Sequence, residues 1–329
     1  MLNNSDVSGL VSCCIPAYNH EGFIAETILS FINQDYQNLE LIIINDGSLD
    51  STHDVILSLE SRCKTRFRRF IYLNRENRGV CSTMNQLIEL AHGEYIAFSA
   101  SDDISYPQRI SELLHGYEFL GDSYCAVFGD AGFIDANSHE VALGLNGELC
   151  NSDRFAFSSA LRFNCRHSKE DFKNGLHVTY GAVLQDNFIP GISFLYRKKY
   201  LLEVGGYTEG VCIEDWDLYL KLLKKYKFHF LDKKLSAYRL HGNNAVVKMR
   251  FKLVKDSFAL LLREEAFSKK CNFAEEWKTS YFNNLLRLIK LNKWKDFVVY
   301  FRWDVSFFRK LLVRFLTRFR RSVALRDLW

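Results

Sequence analysis

The 329-residue chain has only three prolines, and no glycine- or serine-rich linker divides it into halves. We therefore expect one large domain with an appendage rather than a series of small modules. No apolar run approaches the roughly 18 residues that a membrane-spanning helix needs. The segment from Met1 to Asp6 lacks the basic and apolar regions of a signal peptide. These absences lead us to expect a cytoplasmic protein.

The nine cysteines show neither a CxxC pair nor the regular spacing of a disulfide framework. In a cytoplasmic protein they are most simply reduced thiols. Cys165 and His167 are near neighbours, but no second pair of ligands follows them. A structural role for this pair is therefore favoured over a zinc site.

The net charge of +4 is unevenly distributed along the chain. Residues 1–247 carry 23 Lys and Arg against 31 Asp and Glu, a balance of −8, whereas residues 248–329 carry 20 against 8, a balance of +12. The acidic body and the lack of a nucleic-acid-binding motif argue against a nucleic-acid partner. The basic C-terminal region instead suits an anionic surface.

The first hundred residues alternate between short apolar runs and runs of helical period. Strands are predicted at residues 10–15, 40–44, 70–73, 95–98, 124–128 and 192–196. Ser51 and Asp54 have the spacing of a capping box for one helix, and Ser105 with Pro107 indicates the start of another. Four early strands separated by three helices predict an α/β fold, with a mainly parallel sheet covered by helices on both faces. Residues 250–329 are predicted to form a helical appendage.

Polar motifs follow the first four predicted strands. They are Pro16-Ala17-Tyr18-Asn19, Asp46-Gly47-Ser48, Asn77-Arg78-Gly79 and Ser101-Asp102-Asp103. Ligands of a parallel sheet bind beyond the carboxyl ends of its strands, so these motifs predict a single binding site. Carboxylates there can hold a divalent cation and, through it, a diphosphate. Farther along, Glu214-Asp215 opens a helical run, where a carboxylate can act as a general base.

The order of these motifs resembles that of the family 2 glycosyltransferases. The matching segments are P-A-Y-N at 16–19, I-N-D-G-S at 44–48, E-N-R-G-V at 76–80, G-E-Y-I-A-F at 93–98, D-D at 102–103, G-G-Y at 205–207, E-D-W-D-L at 214–218 and Y-R-L-H-G-N-N at 238–244. The resemblance covers residues 10–247 and implies the Rossmann-like GT-A fold. It also implies a hexosyltransferase-type enzyme that moves a sugar from a UDP-sugar to an acceptor hydroxyl, with inversion at the anomeric carbon.

The resemblance implies a set of donor-binding residues at the strand ends. They are Pro16, Tyr18, Asn19, Glu21, Asp46, Arg78, Asp102 and Asp103. Tyr18 would pack near the base, and Asp46 would accept a hydrogen bond from the ring N–H of uracil. The alternatives are a tyrosine at the edge of the core and a helix-capping aspartate, but Asp50 and Ser51 are better placed to cap the next helix. Glu21 is equally compatible with a first-turn acid favoured by the helix dipole.

Two positions depart from the family pattern. Related chains usually have D-x-D-D where this chain has Ala100-Ser101-Asp102-Asp103, so the first acid is missing. Met84 stands where related chains often carry an arginine aimed at the nucleotide, and its place in an apolar stripe predicts a core residue. Arg78 could partly replace that charge, or could be a solvated loop arginine.

By the same resemblance, Asp102 binds Mg²⁺ or Mn²⁺, which neutralises the diphosphate leaving group. His241 matches a family histidine that approaches the metal or the diphosphate, although a structural histidine is an equal alternative. Arg239 could instead be the group that faces the phosphates.

On the acceptor side, the resemblance makes Asp215 the general base that takes the hydroxyl proton. Glu214 would orient the acceptor, and Trp216 would stack on a sugar ring. The alternative is a helix N-cap acid, since the pair opens a helix.

The C-terminal tail has an apolar stripe of helical spacing among many cations. The stripe is Phe308, Leu311, Leu312, Phe315, Leu316 and Phe319. A basic, aromatic, amphipathic helix is typical of proteins that bind the surface of an anionic membrane. A helix packed on the catalytic body or on a second subunit is the alternative.

The sequence thus predicts a peripheral enzyme on the inner face of the cell membrane. It would extend a glycan or lipid-linked saccharide in bacterial surface-polysaccharide synthesis, such as that of O-antigen or capsule. Residues 1–105 would bind the nucleotide sugar, residues 106–247 the acceptor, and residues 248–329 would form the basic helical region. A nucleotidyltransferase is disfavoured because no Gly-rich, basic phosphate loop is present, and an inactive sugar-nucleotide-binding module is supported by Ala100 alone.

Overall fold

The computed structural model describes residues 9–145, 147–150, 156–165, 177–242, 244 and 249–301. The chain divides into two compact units, Met1–Lys248 and Met249–Trp329. The strands of the first unit are β1 (Val11–Ala17), β2 (Leu39–Asp46), β3 (Arg69–Arg75), β4 (Tyr95–Phe98), β5 (Ile104–Ser105), β6 (Tyr124–Ile134), β7 (Glu140–Leu143), β8 (Leu149–Cys150), β9 (His177–Val178), β10 (Phe194–Arg197) and β11 (Lys227–Arg239). Its helices are α1 (Ile24–Ile32), α2 (Thr52–Ser58), α3 (Glu60–Arg66), α4 (Val80–Leu90), α5 (Arg109–His115), α6 (Ala160–Asn164), α7 (Tyr180–Gln185), α8 (Lys198–Glu203) and α9 (Glu214–Leu223).

The sheet confirms the predicted α/β architecture. Its strand order is β3-β2-β1-β4-β10-β6-β11-β5, with β7, β8 and β9 attached at the side. Strands β3, β2, β1 and β4 are mutually parallel, and β10 is antiparallel to β4 and β6. Strand order reverses at β1, because β2 lies on one side of it and β4 on the other. Such a reversal opens a crevice at the carboxyl ends of the strands, where ligands of α/β sheets bind.

Strands β1 and β2 form the centre of the core. Alternate residues of β1, among them Val11, Cys13 and Ile15, join one buried cluster with Ile28 and Phe31 of α1. Helix α4 also packs on β1 and β2, so helices cover both faces of this strand pair. Burial on both faces explains why these strands are continuous apolar runs.

Several predicted elements have different boundaries in the structure. Strand β6 extends six residues beyond the predicted end, to Ile134. The predicted strand at 192–196 begins as a 3₁₀ turn, Gly191–Ser193, and continues as β10. The predicted capping box is wrong, because the Ser51 side chain makes no cap hydrogen bond to α2. The Asp50 carboxylate instead accepts from the Thr52 backbone N–H at 3.0 Å.

The predicted helix start at Ser105 is also wrong. Ser105 belongs to β5, which pairs with β11. Helix α5 begins four residues later at Arg109, whose guanidinium donates to the Ser105 hydroxyl at 2.8 Å. Pairing with a distant strand outweighs the local signal for a helix cap.

The described part of the second unit is helical. Its helices are α10 (Arg250–Lys270), α11 (Ala274–Lys290) and α12 (Trp294–Tyr300). Tyr300 joins all three, because its ring stacks on Phe258 at 4.1 Å and its carbonyl accepts from the Tyr281 hydroxyl at 2.8 Å. In the described residues, none of the helices has the length and apolarity required to span a bilayer. The predicted amphipathic helix at 308–321 lies outside the described residues.

Candidate active site

The loops after β1 and β2 are tied together by hydrogen bonds. Asn19 accepts from the Leu49 backbone N–H at 2.7 Å and donates its own backbone N–H to the Ser48 hydroxyl at 2.9 Å. The Glu21 carboxylate accepts from the Ser51 N–H at 2.8 Å. Asn19 has a φ of 52°, a left-handed conformation that asparagine tolerates better than most residues. Asn19 and Glu21 therefore build the loops, whereas Tyr18 is 46% exposed and open to a ligand.

Asp46 ends β2 with a nearly buried carboxylate that holds the next loop. One of its oxygens accepts from Arg75 at 2.5 Å and from the Arg78 backbone N–H at 2.9 Å. The other accepts from the Gly79 N–H at 2.9 Å, at the N-cap of α4. Asp46 thus fixes the two residues that precede α4, the helix that follows β3. With about four lone-pair positions on a carboxylate, these three donors leave room for about one more.

Arg75 is a site residue that sequence reasoning missed. It lies directly beside Asp46 in the register of β2 and β3, and it also donates to Gln86 at 3.0 Å and Thr83 at 2.8 Å. The predicted replacement cation, Arg78, is exposed and contacts Asp46 through its backbone. Met84 is buried, as predicted. The signal for Arg75 was its position at the end of a strand adjacent to the strand of Asp46.

His20, Asp102 and His241 form a cluster that could hold a divalent cation. His241 Nε2 lies 2.9 Å from Asp102 Oδ2, and His20 Nε2 lies 3.7 Å from the same oxygen. One ligand atom from each residue lies within 4.8 Å of the others, and among the described residues this is the one such group of three. The arrangement agrees with the predicted pairing of Asp102 and His241.

His20 was not predicted, although it directly follows the Pro16–Asn19 motif. Its Nδ1 lies 2.7 Å from the Ser101 hydroxyl, which turns Nε2 toward Asp102. Histidines that bind metals usually engage their second ring nitrogen in this way, because the contact fixes the orientation of the ring. Ser101 therefore gives the Ala100–Asp103 segment a role in holding His20 that the sequence pattern did not indicate.

Asp103 and Arg239 belong to the interior rather than to a ligand surface. Asp103 is almost fully buried and accepts from the Arg239 backbone N–H at 2.8 Å. Burial, and then the neighbouring charge of Asp102, raise the pKa of Asp103 well above its usual range. The Arg239 guanidinium is buried among protein acceptors, including the Asp102 carbonyl oxygen at 2.7 Å. The interpretation of Arg239 as the group that faces the phosphates is therefore wrong. Asp103 instead holds the Arg239 backbone, and Arg239 in turn holds the backbone of Asp102.

Glu214 and Asp215, here called the acid pair, lie in the first turn of α9. A Cβ atom at Gly191 would lie 2.2 Å from Asp215 Oδ2, so the carboxylate needs a glycine at this position. Gly191 opens the 3₁₀ turn that directly precedes β10, and β10 is antiparallel to β4. The start of β10 and the end of β4 consequently lie at the same edge of the sheet. The acid pair therefore belongs to the edge that carries Asp102.

The acid pair resists ionisation. Burial raises the pKa of Asp215 to about 6. Burial and the nearby Asp215 charge raise the pKa of Glu214 to about 8. Two carboxyl groups with raised pKa values at a cleft are a common arrangement for proton transfer, since one can accept a proton while the other keeps its own.

Trp216 does not present its ring to a ligand. It is 3% exposed, and its indole N–H donates to the Val183 carbonyl oxygen of α7 at 2.6 Å. Trp216 therefore packs α9 against α7. The prediction that it stacks on an acceptor sugar is not supported by this position, because the ring lies in the core.

The raised pKa of Glu214 gives a prediction for stability. Because the folded protein holds the Glu214 proton up to about pH 8, while the unfolded chain releases it near 4.5, the free energy of unfolding should fall as pH rises through this window. Replacing Glu214 with Gln removes the effect. We expect thermal melts to show Glu214→Gln a few degrees more stable than the wild type at pH 8 and indistinguishable at pH 4. An unchanged melting temperature at pH 8 would contradict the raised pKa.

The chain is similar to proteins named as glycosyltransferases. The family model described as glycosyl transferase family 2 matches residues 12–171. An uncharacterized glycosyltransferase of Haemophilus influenzae is 41% identical over 245 residues, which cover 71% of this chain and 66% of the relative. An uncharacterized glycosyltransferase of Rickettsia felis is 29% identical over 73% of this chain. The chain spans about a third of the length of this relative, 36%.

Two solved structures share the fold. Staphylococcus aureus TarS, in complex with UDP, aligns with a TM-score of 0.56 at 17% identity, over 83% of this chain and 72% of TarS. The mannosyltransferase PcManGT of Pyrobaculum calidifontis, in complex with GDP-Man and Mn²⁺, aligns with a TM-score of 0.58 at 14% identity, over 93% of this chain and 79% of PcManGT.

Proposed function

We propose, from the premise that this chain belongs to family 2 of the glycosyltransferases, that it transfers a sugar from a UDP-sugar to a hydroxyl of a saccharide acceptor. The single observation that carries the proposal is the shared location of two groups. A cluster suited to a divalent cation and a proton-accepting acid pair lie at one edge of the sheet, where the strand order reverses. The first group suits a diphosphate, and the second suits an acceptor hydroxyl.

The contacts of Asp46 support uracil as the base of the donor. About one acceptor position remains on its carboxylate after Arg75, Arg78 and Gly79 have donated to it. Uracil offers one ring N–H on its pairing edge, whereas guanine offers both a ring N–H and an amino group. The single free position matches uracil better. Tyr18, exposed on the neighbouring loop, supplies a flat apolar surface for the base.

A panel of nucleotide sugars tests the donor. We expect UDP-sugars to bind the purified full-length protein and to be slowly hydrolysed, and GDP-sugars to bind at least tenfold more weakly. Calorimetry and the release of UDP or GDP measure the two quantities. Equal or tighter binding of GDP-sugars would overturn the uracil assignment and leave the transferase assignment in place. Absence of binding by every member of the panel would overturn both.

Asp102, His241 and His20 would hold the divalent cation. Mg²⁺ prefers oxygen ligands and retains much of its water, so two imidazole nitrogens favour Mn²⁺ over Mg²⁺. When bound, the cation supplies positive charge that stabilises the departing diphosphate. The missing acid at Ala100 is offset by His20, which Ser101 orients toward Asp102.

Asp215 would take the proton of the acceptor hydroxyl as the hydroxyl oxygen attacks the anomeric carbon. A direct attack of this kind inverts the configuration at that carbon. With its pKa raised to about 6, Asp215 is mostly ionised at neutral pH and is still a better base than an ordinary aspartate. Glu214, with its pKa raised to about 8, would keep its proton and donate a hydrogen bond that orients the acceptor.

The basic C-terminal region supports a lipid-linked acceptor at an anionic membrane, in surface-polysaccharide synthesis such as that of O-antigen or capsule. Removing residues 302–329 is then expected to spare activity on a short soluble acceptor but to release the protein from vesicles that contain anionic lipid. Each cation near such a surface adds roughly 1 kcal/mol of binding free energy, an attraction that salt screens. The truncation keeps Tyr300, which joins the three described helices of the second unit.

Vesicle co-sedimentation at low and high salt measures this prediction. The matched control is a full-length variant with Gln at Arg314, Arg318, Arg320 and Arg321, which retains the apolar stripe and should bind with less salt dependence. If the full-length protein does not bind anionic vesicles at low salt, the membrane assignment is overturned. Unfolding of the truncated protein would identify the tail as a structural element instead.

A further inference from the structure

The Arg239 side chain joins three separate segments of the first unit, although none of it is exposed to solvent. Its Nε donates to the Asp102 carbonyl oxygen at 2.7 Å. Its Nη1 donates to the Ser138 hydroxyl at 2.8 Å and to the Asp135 carbonyl oxygen at 3.2 Å, and its Nη2 pairs with the Glu26 carboxylate of α1. The guanidinium therefore fixes the turn of Asp102, the loop between β6 and β7, and α1 relative to one another.

The Arg239 main chain extends the same network to His241. Its carbonyl oxygen accepts from the Asn244 side chain at 3.0 Å, and the Asn244 side-chain oxygen accepts from the His241 N–H at 2.8 Å. The guanidinium also lies over the Phe23 ring, 5.0 Å from its centre, and the same ring lies 4.9 Å from the His241 ring. Arg239 thus contacts the supports of two residues of the His20–Asp102–His241 cluster.

We propose that Arg239 is a positioning residue for the divalent-cation site, and that Glu26 keeps it in place. This inference rests on the proposed function of the cluster. The planar guanidinium has five donors in a fixed fork, so it can hold several acceptors at once, and a lysine ammonium cannot reproduce that geometry. Holding the Asp102 backbone and the His241 turn together keeps Asp102 Oδ2 and His241 Nε2 close enough to share one cation.

Glu26 has a second effect, which is electrostatic. It neutralises a buried cation that would otherwise repel a divalent ion in the neighbouring cluster. Its side chain is 47% exposed, so a glutamine at this position can be solvated and should not disrupt folding. Replacing Glu26 with Gln therefore removes the charge without changing the size of the side chain, and leaves the other hydrogen bonds of Arg239 in place.

The test measures Mn²⁺ alone, by titration of the full-length protein and detection of free Mn²⁺ by electron paramagnetic resonance. We expect Arg239→Lys to weaken Mn²⁺ binding by about 10–100-fold and Glu26→Gln by about tenfold, which is the range found for residues that orient metal ligands. Both variants should raise the KM for the donor more than they lower kcat at saturating Mn²⁺. The matched control is Glu112→Gln, which breaks an ion pair of 2.6 Å between α5 and Lys233 of β11 and should leave Mn²⁺ affinity unchanged.

The outcomes separate this inference from the proposed function. If the wild type binds Mn²⁺ and Glu26→Gln binds it equally well, Arg239 and Glu26 are structural and the inference fails, while the transferase assignment stands. Should Arg239→Lys fail to fold, Glu26→Gln decides the matter alone. If the wild type binds no Mn²⁺, the cation site itself is wrong, and the inference falls with it.

Discussion

Replacing Asp215 with Asn is expected to abolish most sugar transfer, with a loss of about 10²–10⁴-fold in kcat, while donor affinity stays nearly unchanged. Asparagine has almost the same size and can occupy the space beside Gly191, but it cannot accept the hydroxyl proton. The donor contacts assigned to Tyr18, Asp46 and Asp102 do not involve Asp215. The expected result is therefore a large decrease in kcat without a matching change in the dissociation constant of the donor.

The measurement compares initial rates of transfer with the calorimetric affinity for the donor. Asp217→Asn is the matched control, since Asp217 lies in the same helical turn and binds the Thr208 hydroxyl at 2.5 Å. It should lower thermal stability and leave kcat near that of the wild type. Near-normal turnover by Asp215→Asn would contradict the assignment of Asp215 as the general base.

The transfer rate of the wild type should also rise as pH increases through about 6, because Asp215 must lose its proton before it can act as a base.

Replacing Asp102 with Ala is expected to weaken Mn²⁺ binding and to lower the transfer rate by at least about 100-fold, because Asp102 supplies the only carboxylate of its cluster. The donor should also bind less tightly, since its diphosphate would lose the cation. His20→Ala should produce a smaller loss of the same kind. Rates measured across a Mn²⁺ titration, and again in EDTA, provide the test.

His53→Ala is the control for the histidine variant. His53 lies on α2 and contacts the Tyr72 hydroxyl at 2.8 Å, so its loss should leave the Mn²⁺ dependence unchanged. Full activity of the wild type in EDTA would show that the reaction proceeds without a divalent cation. That result would refute the role of the cluster while leaving the role of Asp215 intact.

The sheet could be predicted because its signals are local and repeated. The apolar runs of β1, β2 and β4 alternate with helical stripes, and each run ends in a polar motif. The predicted regions 1–105 and 106–247 have no such basis in local pattern, and their boundary stays a prediction. One sheet contains strands from both regions, since β4 pairs with β10 and β5 pairs with β11.

The supporting residues of the site could not be predicted because their partners are distant in sequence. Arg75 reaches Asp46 only through the register of two strands, and Arg239 reaches Glu26 only after β11 has joined the sheet. Trp216, in contrast, was predicted to belong to the site and does not. Its place beside the acid pair suggested an exposed ring, but a helix turns neighbouring side chains to different faces, and Trp216 points into the core.

The separation of the cluster residues along the chain has a consequence for biosynthesis. Among the described residues of the unit, His20 follows β1, Asp102 follows β4, and His241 follows β11. A nascent chain that has not yet released β11 from the ribosome lacks His241, one of the three residues of the cluster. Mn²⁺ bound to the cluster would therefore raise the free energy of unfolding only of chains in which β11 has joined the sheet. That step comes after the slow, long-range strand pairings have formed. In a cell, scarcity of the ion should shorten the lifetime of completed molecules without slowing their synthesis.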